Sequence, residues 1–84
     1  MSRNDKLIAK VENHRKGDFA FADLTRYLGL YGWQIVRIDG SHHRFARAGY
    51  DSLSIPVHHG KVLAAYVKEA RNLVKASEGR DREV

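Results

Sequence analysis

Histidine is unevenly distributed along this chain. Four of the five histidines form two adjacent pairs, His42-His43 and His58-His59. An imidazole titrates close to neutral pH, so both its neutral and its protonated form are accessible there. It can therefore accept a proton as a general base or donate one as a general acid. These two pairs are the first candidates for catalysis.

Cationic side chains follow both pairs, as Arg44 and Lys61. Cleaving an RNA strand without a metal requires a base for the 2′-hydroxyl proton, an acid for the leaving 5′-oxygen and a cation beside the phosphorane. His42 and His58, with Arg44 and Lys61, would supply all three. A histidine beside a hairpin turn is more often an ordinary surface residue, so this hypothesis requires the side chains to converge.

The alternation of a β-strand sorts the first pair onto two faces. If Phe45 enters the core, His43 and Arg47 lie on its side, whereas His42 and Arg44 point the other way. One histidine of the pair is then available for chemistry, and its neighbour is structural.

The next predicted strand supplies the third candidate. Its apolar side chains occupy alternate positions, which leaves Ser54, Pro56 and His58 on the opposite side. We therefore expect His42, Arg44 and His58 to share a sheet face that no helix covers.

A metal site is the main alternative for a histidine cluster. Structural sites usually combine histidine with cysteine or carboxylate ligands at matching spacing, and the chain has no cysteine. Adjacent histidines on a strand point to opposite faces, so neither pair easily chelates one ion. We therefore predict no metal ligand and no cofactor.

Composition limits the class of protein. The chain has 84 residues, 43% hydrophobic and 30% charged, which indicates one modest core rather than a disordered tail or a membrane span. No long apolar run follows the first residues, so we expect neither a secretory signal nor a membrane partner. The lack of cysteine favours the cytoplasm. The formal net charge of +5 favours phosphate backbones as partners.

Apolar periodicity predicts an α+β fold. The expected elements are helices over residues 5–14 and 21–31, strands over 33–38, 42–47 and 53–57, and a helix over 61–76. Ser2 and Asp5 resemble a capping box, and Gly32 is suited to end the second helix. The order α-α-β-β-β-α predicts a three-stranded antiparallel sheet that helices cover on one face.

The same patterns also bear on the strand register and on the faces and ends of the last helix. The first strand has two rival apolar sets, so its register stays open. The last helix places Leu63 on its apolar stripe and Arg71 on its solvent face. The backbone N–H groups of Gly60 and Lys61 would begin that helix and hold a phosphate. Residues 77–84 are predicted to be a flexible tail after a single domain of residues 1–76.

Three motifs occur in order along the chain. They are Gly32-Trp33, then Gly40-Ser41-His42-His43-Arg44-Phe45, then Ile55-Pro56-Val57-His58-His59-Gly60-Lys61. Together they resemble the signature of the HicA (YcfA-like) toxin family: a glycine-aromatic pair, a Gly-Ser-His-x-x-aromatic strand start, and Ile-Pro-x-His-x-Gly-Lys before the final helix. The resemblance covers roughly residues 20–75.

The resemblance implies a fold and an activity. HicA proteins have a double-stranded-RNA-binding-domain-like fold, cleave mRNA without a metal, and are silenced by a HicB antitoxin. The family's catalytic histidine corresponds to His42, and the histidine of Ile-Pro-x-His corresponds to His58. The implied function is the toxin of a type II toxin–antitoxin system, an endoribonuclease that arrests growth.

The complete set of predicted site residues combines this resemblance with the charge pattern. We predict His42 and His58 as catalytic residues, and as RNA contacts Ser41, Arg44, Arg47 and Lys61. The predicted partners are mRNA and a HicB-like antitoxin, and the free protein is expected to be a monomer. A non-catalytic RNA-binding or partner-binding module with the same fold is the alternative.

The chain departs from the shortest members of that family in two places. An N-terminal helical extension of about residues 1–18 precedes the usual first helix. Ala64-Ala65-Tyr66 stands where many members carry a glycine near the start of the last helix. Neither departure removes a predicted catalytic group, but both leave the target and the antitoxin open.

Overall fold

The computed structural model describes the backbone of residues 2–82 and the side chains of residues 2–79. In chain order its elements are α1 (Arg3–Asn13), β1 (Phe19–Ala20), α2 (Phe21–Leu30), β2 (Gln34–Asp39), β3 (His42–Ala46), β4 (Leu53–Pro56), β5 (Lys61–Val62) and α3 (Ala64–Arg82). The predicted α+β class and the three-stranded antiparallel sheet are confirmed, and the arrangement is consistent with a double-stranded-RNA-binding-domain-like fold.

The main sheet has the order β2-β3-β4, and both of its pairings are antiparallel. Phe45 of β3 and Ile55 of β4 are fully buried, whereas the residues that alternate with them are more exposed. The helices therefore cover one face of the sheet and leave the other open, as the alternation predicts.

An irregularity in the pairing of β2 with β3 decides which apolar residues of β2 face the helices. The register shifts between Ile35 and Arg37, and Ile35 then lies opposite Phe45 while Ile38 lies opposite His43. An extra residue in one strand lets both isoleucines take the side of the helices, although their spacing is odd. All six residues of β2 are nevertheless exposed.

Local signals define the ends of the first two helices. Ser2 caps α1, since its hydroxyl accepts from the Asp5 N–H at 3.1 Å and the Asp5 carboxylate accepts from the Ser2 N–H at 3.4 Å. Gly32 follows α2 with φ +86°, a left-handed conformation that glycine adopts at little cost. Both predictions are confirmed.

A second, two-stranded sheet was not expected from the sequence. Phe19 pairs with Val62 and Ala20 with Lys61, so β1 joins the start of α2 to the segment before α3. Helix α3 consequently begins at Ala64 and not at Lys61. The Lys61 N–H donates to the His58 carbonyl at 2.9 Å, so the predicted helix-end phosphate site at Gly60-Lys61 is wrong.

Helix α3 also extends beyond its predicted end at Ala76. It continues to Arg82, and Ser77 is fully buried. The Ser77 hydroxyl donates to the Val74 carbonyl at 2.9 Å, and the Ser77 carbonyl accepts from the Tyr50 hydroxyl at 3.3 Å. Residues 77–82 are therefore helical and not an irregular tail, and residues 83–84 lie outside the described residues.

Arg71 is the clearest error in the predicted faces of α3. It is buried, and its Nη1 donates to the carbonyls of Val11 and His14 at 3.1 and 2.8 Å. These carbonyls end α1, where a cation is favourable. Leu63, in contrast, precedes the helix and is exposed.

The hydrophobic core joins all three helices to the main sheet. It includes Val11, Leu24, Tyr27, Leu28, Trp33, Phe45, Ile55 and Val67.

Within residues 2–82, none of the helices has the length and apolar character that crossing a membrane requires.

Candidate active site

The bare face of the main sheet carries a polar group of side chains. His42 lies opposite Pro56 and Arg44 opposite Ser54 on the neighbouring strand, and both His42 and Arg44 are exposed. Residues directly opposite one another in an antiparallel pair share a face. The strand alternation therefore puts the predicted histidine and arginine on the same, uncovered side.

His58 is brought to the same end of the sheet by a backbone contact. The Val57 N–H donates to the Ser41 carbonyl at 2.8 Å, which continues the β3–β4 register one residue past its last pair. The residue before His42 is thus bonded to the residue before His58. Both histidines are exposed, and each follows one of these two bonded residues.

Lys61 reaches this site because the chain reverses after His58. His59 has φ +53° and Gly60 φ +74°, and this left-handed pair forms the turn. Two backbone hydrogen bonds then join His58 and Lys61, at 3.0 and 2.9 Å. The Phe21 N–H donates to the Gly60 carbonyl at 2.9 Å, which fixes the turn against the start of α2. Lys61 is consequently held beside His58 and exposed.

Two residues of β2 belong to the same surface, and the sequence interpretation missed both. Arg37 lies directly opposite Arg44, and Asp39 lies directly opposite His42. Arg37 also forms an exposed ion pair with Asp39, at 2.8 Å between Nε and Oδ2. The alternating charges of residues 37 and 39 are a signal in the sequence, but the open register of this strand concealed their face. We call Arg37, Asp39, His42, Arg44, Ser54 and Pro56 the open face.

The second histidine of the first pair has a different environment. The His43 ring lies 4.7 Å from the Phe21 ring between centroids, and its Nδ1 lies 3.1 Å from the Ser41 carbonyl oxygen. With a proton on Nδ1, His43 donates to a carbonyl that also accepts from Val57. Its contacts support the turn on which His42 is placed.

Arg47 does not join the other predicted RNA contacts. Its guanidinium lies 4.9 Å from the centre of the Tyr50 ring. A Cβ added at Gly32 would come within 3.3 Å of Arg47 Nε, so the side chain also packs closely over Gly32. Arg47 is half-buried. Ser41 and Arg44, in contrast, are close to His42 along the chain, and Lys61 is bonded to His58.

The arrangement has the groups that phosphate chemistry requires. Two exposed imidazoles can transfer protons, and three cations, Arg37, Arg44 and Lys61, can contact an anion. Within the part of the chain that the structure describes, no three histidine, cysteine or carboxylate side chains gather closely enough to hold a metal ion.

Comparison with known proteins agrees with the motifs. Searches among curated proteins and among solved structures find no match for the chain. The family model of the HicA toxin of bacterial toxin–antitoxin systems matches residues 21–69, more than half of the 84 residues. This range contains α2, the main sheet, the open face and the turn at His58. The chain therefore belongs to the HicA toxin family.

Proposed function

We propose that this protein is the ribonuclease toxin of a type II toxin–antitoxin system, and that it cleaves mRNA on the open face. The observation that carries the proposal is the position of an exposed histidine, His42, beside two arginines that lie directly opposite each other. Like charges in this position destabilise a sheet. The ion pair of Arg37 with Asp39 offsets part of this repulsion. A phosphate bound beside Arg44 would offset the rest and would lie within reach of an imidazole.

The proposed chemistry uses the 2′-hydroxyl of the RNA as the nucleophile. A general base, an imidazole, takes the hydroxyl proton while the 2′-oxygen bonds to phosphorus. A general acid gives a proton to the 5′-oxygen as the bond between that oxygen and phosphorus breaks. His42 acts as general base or general acid, with His58 as its auxiliary. Arg44 and Lys61 contact the phosphoryl oxygens, on which negative charge develops. Ser41 completes the turn that holds His42.

The proposed setting is the cytoplasm, where mRNA is available. A ribonuclease toxin with an exposed active surface needs a partner protein that covers this surface and blocks its activity. We therefore include a HicB-like antitoxin in the proposal.

Expression in bacteria tests the proposal. Inducing the wild-type protein should arrest growth and degrade bulk mRNA, whereas the His42→Ala variant should do neither. The control is His59→Asn, because His59 is exposed beside His58 but has no role in the proposed chemistry. Asparagine tolerates the left-handed backbone of this position. Equal growth and intact RNA with the wild type and His42→Ala would contradict the proposal.

The reaction products test the mechanism. Purified protein should cleave RNA in the presence of a chelating agent and leave a 2′,3′-cyclic phosphate and a 5′-hydroxyl, because the 2′-oxygen displaces the 5′-oxygen. Mass spectrometry of the fragments distinguishes these ends from the 5′-phosphate that an attacking water would produce. If the protein binds RNA but produces no fragments, the alternative of a non-catalytic RNA-binding module is supported instead.

A further inference from the structure

A basic groove lies between the end of α1 and the exposed side of α3. It has a volume of about 450 Å³ and is lined by Arg15, Ala64, Ala65, Lys68, Arg71, Asn72 and Lys75. Four of these side chains are cationic, and among residues 2–79 no acidic side chain lines it. We call this the α1–α3 groove.

Backbone contacts fix the arginines of the groove. The buried Arg71 joins α3 to α1 through the carbonyls of Val11 and His14. Arg15 donates from Nη1 to the carbonyls of Glu12 and His14, at 2.6 and 3.0 Å. The two guanidinium groups are therefore placed before any ligand arrives, and less entropy is lost when one binds.

The lysines of the groove form its outer edge. Lys68 and Lys75 are both exposed and lie two turns apart on one side of α3. From Ala64 to Lys75 the helix rises about 16 Å. Its first turn begins three residues after Lys61, which is bonded to His58. On α3, the lining of the α1–α3 groove therefore begins at Ala64, three residues along the chain from Lys61 and six from His58.

The lining favours a nucleic acid over a protein as the occupant. The apolar side chains that line the groove, among those described, are Ala64 and Ala65, whereas the core of a protein interface is apolar and depleted in lysine. Lysine and arginine are the usual contacts to a phosphate backbone. The match to the HicA family model ends at residue 69, so Arg71 and Lys75, like Arg15, lie outside it.

We propose that the α1–α3 groove binds the phosphate backbone of the RNA strand beyond the cleavage site. The inference rests on RNA being the substrate in the proposed function, and it assigns a role to the N-terminal extension, which supplies Arg15. The extension and the first turns of α3 together lengthen the contact with the substrate.

A second basic groove provides the comparison. It lies between α1 and α2, has a volume of about 530 Å³, and is lined by Arg3, Lys6, Leu7, Lys10, Asp23 and Arg26. Asp23 pairs there with Lys10 at 2.7 Å and lies 3.8 Å from Arg26. Asp23 lowers the formal charge of this groove by one, so we expect the groove to contribute less to RNA binding than the α1–α3 groove.

Binding of a labelled 2′-O-methyl RNA oligonucleotide tests the proposal. This RNA lacks the nucleophilic hydroxyl and stays intact, so its affinity is measured by fluorescence anisotropy with the full wild-type chain. In the double variant Lys68→Gln/Lys75→Gln, the slope of log K against log salt should fall by about 1.4, for two contacts to a single strand. At physiological salt the affinity should fall roughly tenfold.

The matched control is the double variant Arg3→Gln/Lys6→Gln, which removes the same charge from the other groove. All four side chains are exposed, and circular dichroism should show that both variants fold. If the two variants bind the RNA equally, the inference is overturned. It is also overturned if the Lys68/Lys75 variant binds RNA normally but no longer retains a co-expressed antitoxin, since the groove then accepts an acidic protein segment.

Cleavage by the wild-type protein is measured separately, on unmodified RNA. If it cleaves but its RNA affinity does not depend on Lys68 and Lys75, the proposed function stands and the groove inference fails. If it does not cleave but its affinity does depend on them, the nuclease proposal fails and the groove remains an RNA-binding site.

Discussion

The two faces of the main sheet differ although they are built from the same strands. On one face Phe45 and Ile55 are fully buried against the helices, and His43 is held by Phe21 and the Ser41 carbonyl. On the other, His42 and Arg44 are exposed and lie opposite polar or charged residues of β2. Adjacent residues of one strand therefore have unrelated physical roles.

The difference shows how a small protein can carry both a core and a reactive surface. The period of two along a strand assigns each side chain to one face, so that a substitution on one face leaves the other largely intact. We expect changes on the covered face to alter stability and changes on the open face to alter activity. Four predictions test this separation, in order of decreasing expected effect.

The adjacent histidines give the sharpest test. His42→Ala should lower the rate of RNA cleavage by about 10²–10⁴-fold, the usual contribution of general acid–base catalysis. Its melting temperature should stay the same, because the ring is exposed. His43→Ala should lower the free energy of unfolding by about 1 kcal/mol, since one hydrogen bond is lost. It should retain most of the activity per folded molecule, and equal losses of activity in both variants would refute the separation.

Phe45 and Arg44 repeat the comparison for stability. Phe45→Ala removes a fully buried ring and should destabilise the fold by about 3–5 kcal/mol in urea denaturation. Arg44→Gln should change the free energy of unfolding by less than about 0.5 kcal/mol, because the side chain is exposed. The same variant should weaken RNA binding and its salt dependence. A strongly destabilised Arg44→Gln would mean that the open face is part of the core.

The hydrogen bonds of Arg71 test whether the N-terminal helix α1 is part of the helical layer that covers the sheet. Arg71→Met removes the donor to the Val11 and His14 carbonyls and should cost about 1–3 kcal/mol. Amide hydrogen exchange should show the loss of protection concentrated in α1. Lys68→Met, one turn away and exposed, is the control and should leave both measurements unchanged. Uniform loss of protection over the whole chain would contradict a local role.

Tyr27 gives the smallest effect, which depends on pH. Burial, helped by negative charge from Tyr31 and Glu12, raises the pKa of Tyr27 well above its ordinary value of 10.0. As the pH rises, the unfolded chain loses the Tyr27 hydroxyl proton before the folded chain does. The free energy of unfolding is therefore unaffected by this group below pH 10.0 and decreases above it. Half a pH unit above that value, the loss should be below about 1 kcal/mol. Tyr27→Phe should reduce the decline in alkaline urea titrations, and an identical decline would show that other groups cause it.

Much of the site could be predicted from local patterns. The faces of His42, Arg44 and Phe45 follow from alternation, which depends only on the strand itself. The ends of α1 and α2 follow from Ser2 and Gly32, whose interactions lie within a few residues. The HicA motifs also lie in short, continuous segments, and this is why the family could be identified before any contact was known.

The register of β2 could not be predicted in this way. Two apolar sets competed, and the choice depended on an irregularity opposite β3 that places Ile35 and Ile38 on one side. The positions of Arg37 and Asp39 on the open face follow from that irregularity. Arg71 was misjudged for a similar reason. It falls on the helical spacing of Val67 and Val74, but its charge suggested solvent, and only its hydrogen bonds to the Val11 and His14 carbonyls explain its burial.

The sequence by itself determined the three helices, the three strands of the main sheet and the faces of β3, because these depend on interactions between near neighbours. It also determined the family, whose motifs lie in short continuous segments. The tertiary structure alone decided which distant segments meet. It paired β1 with β5, moved the start of α3 to Ala64, and formed the α1–α3 groove from residues that are far apart in the chain. Two-residue strands and helix ends carry too little pattern to specify a partner, and their pairing depends on the packing of the whole core.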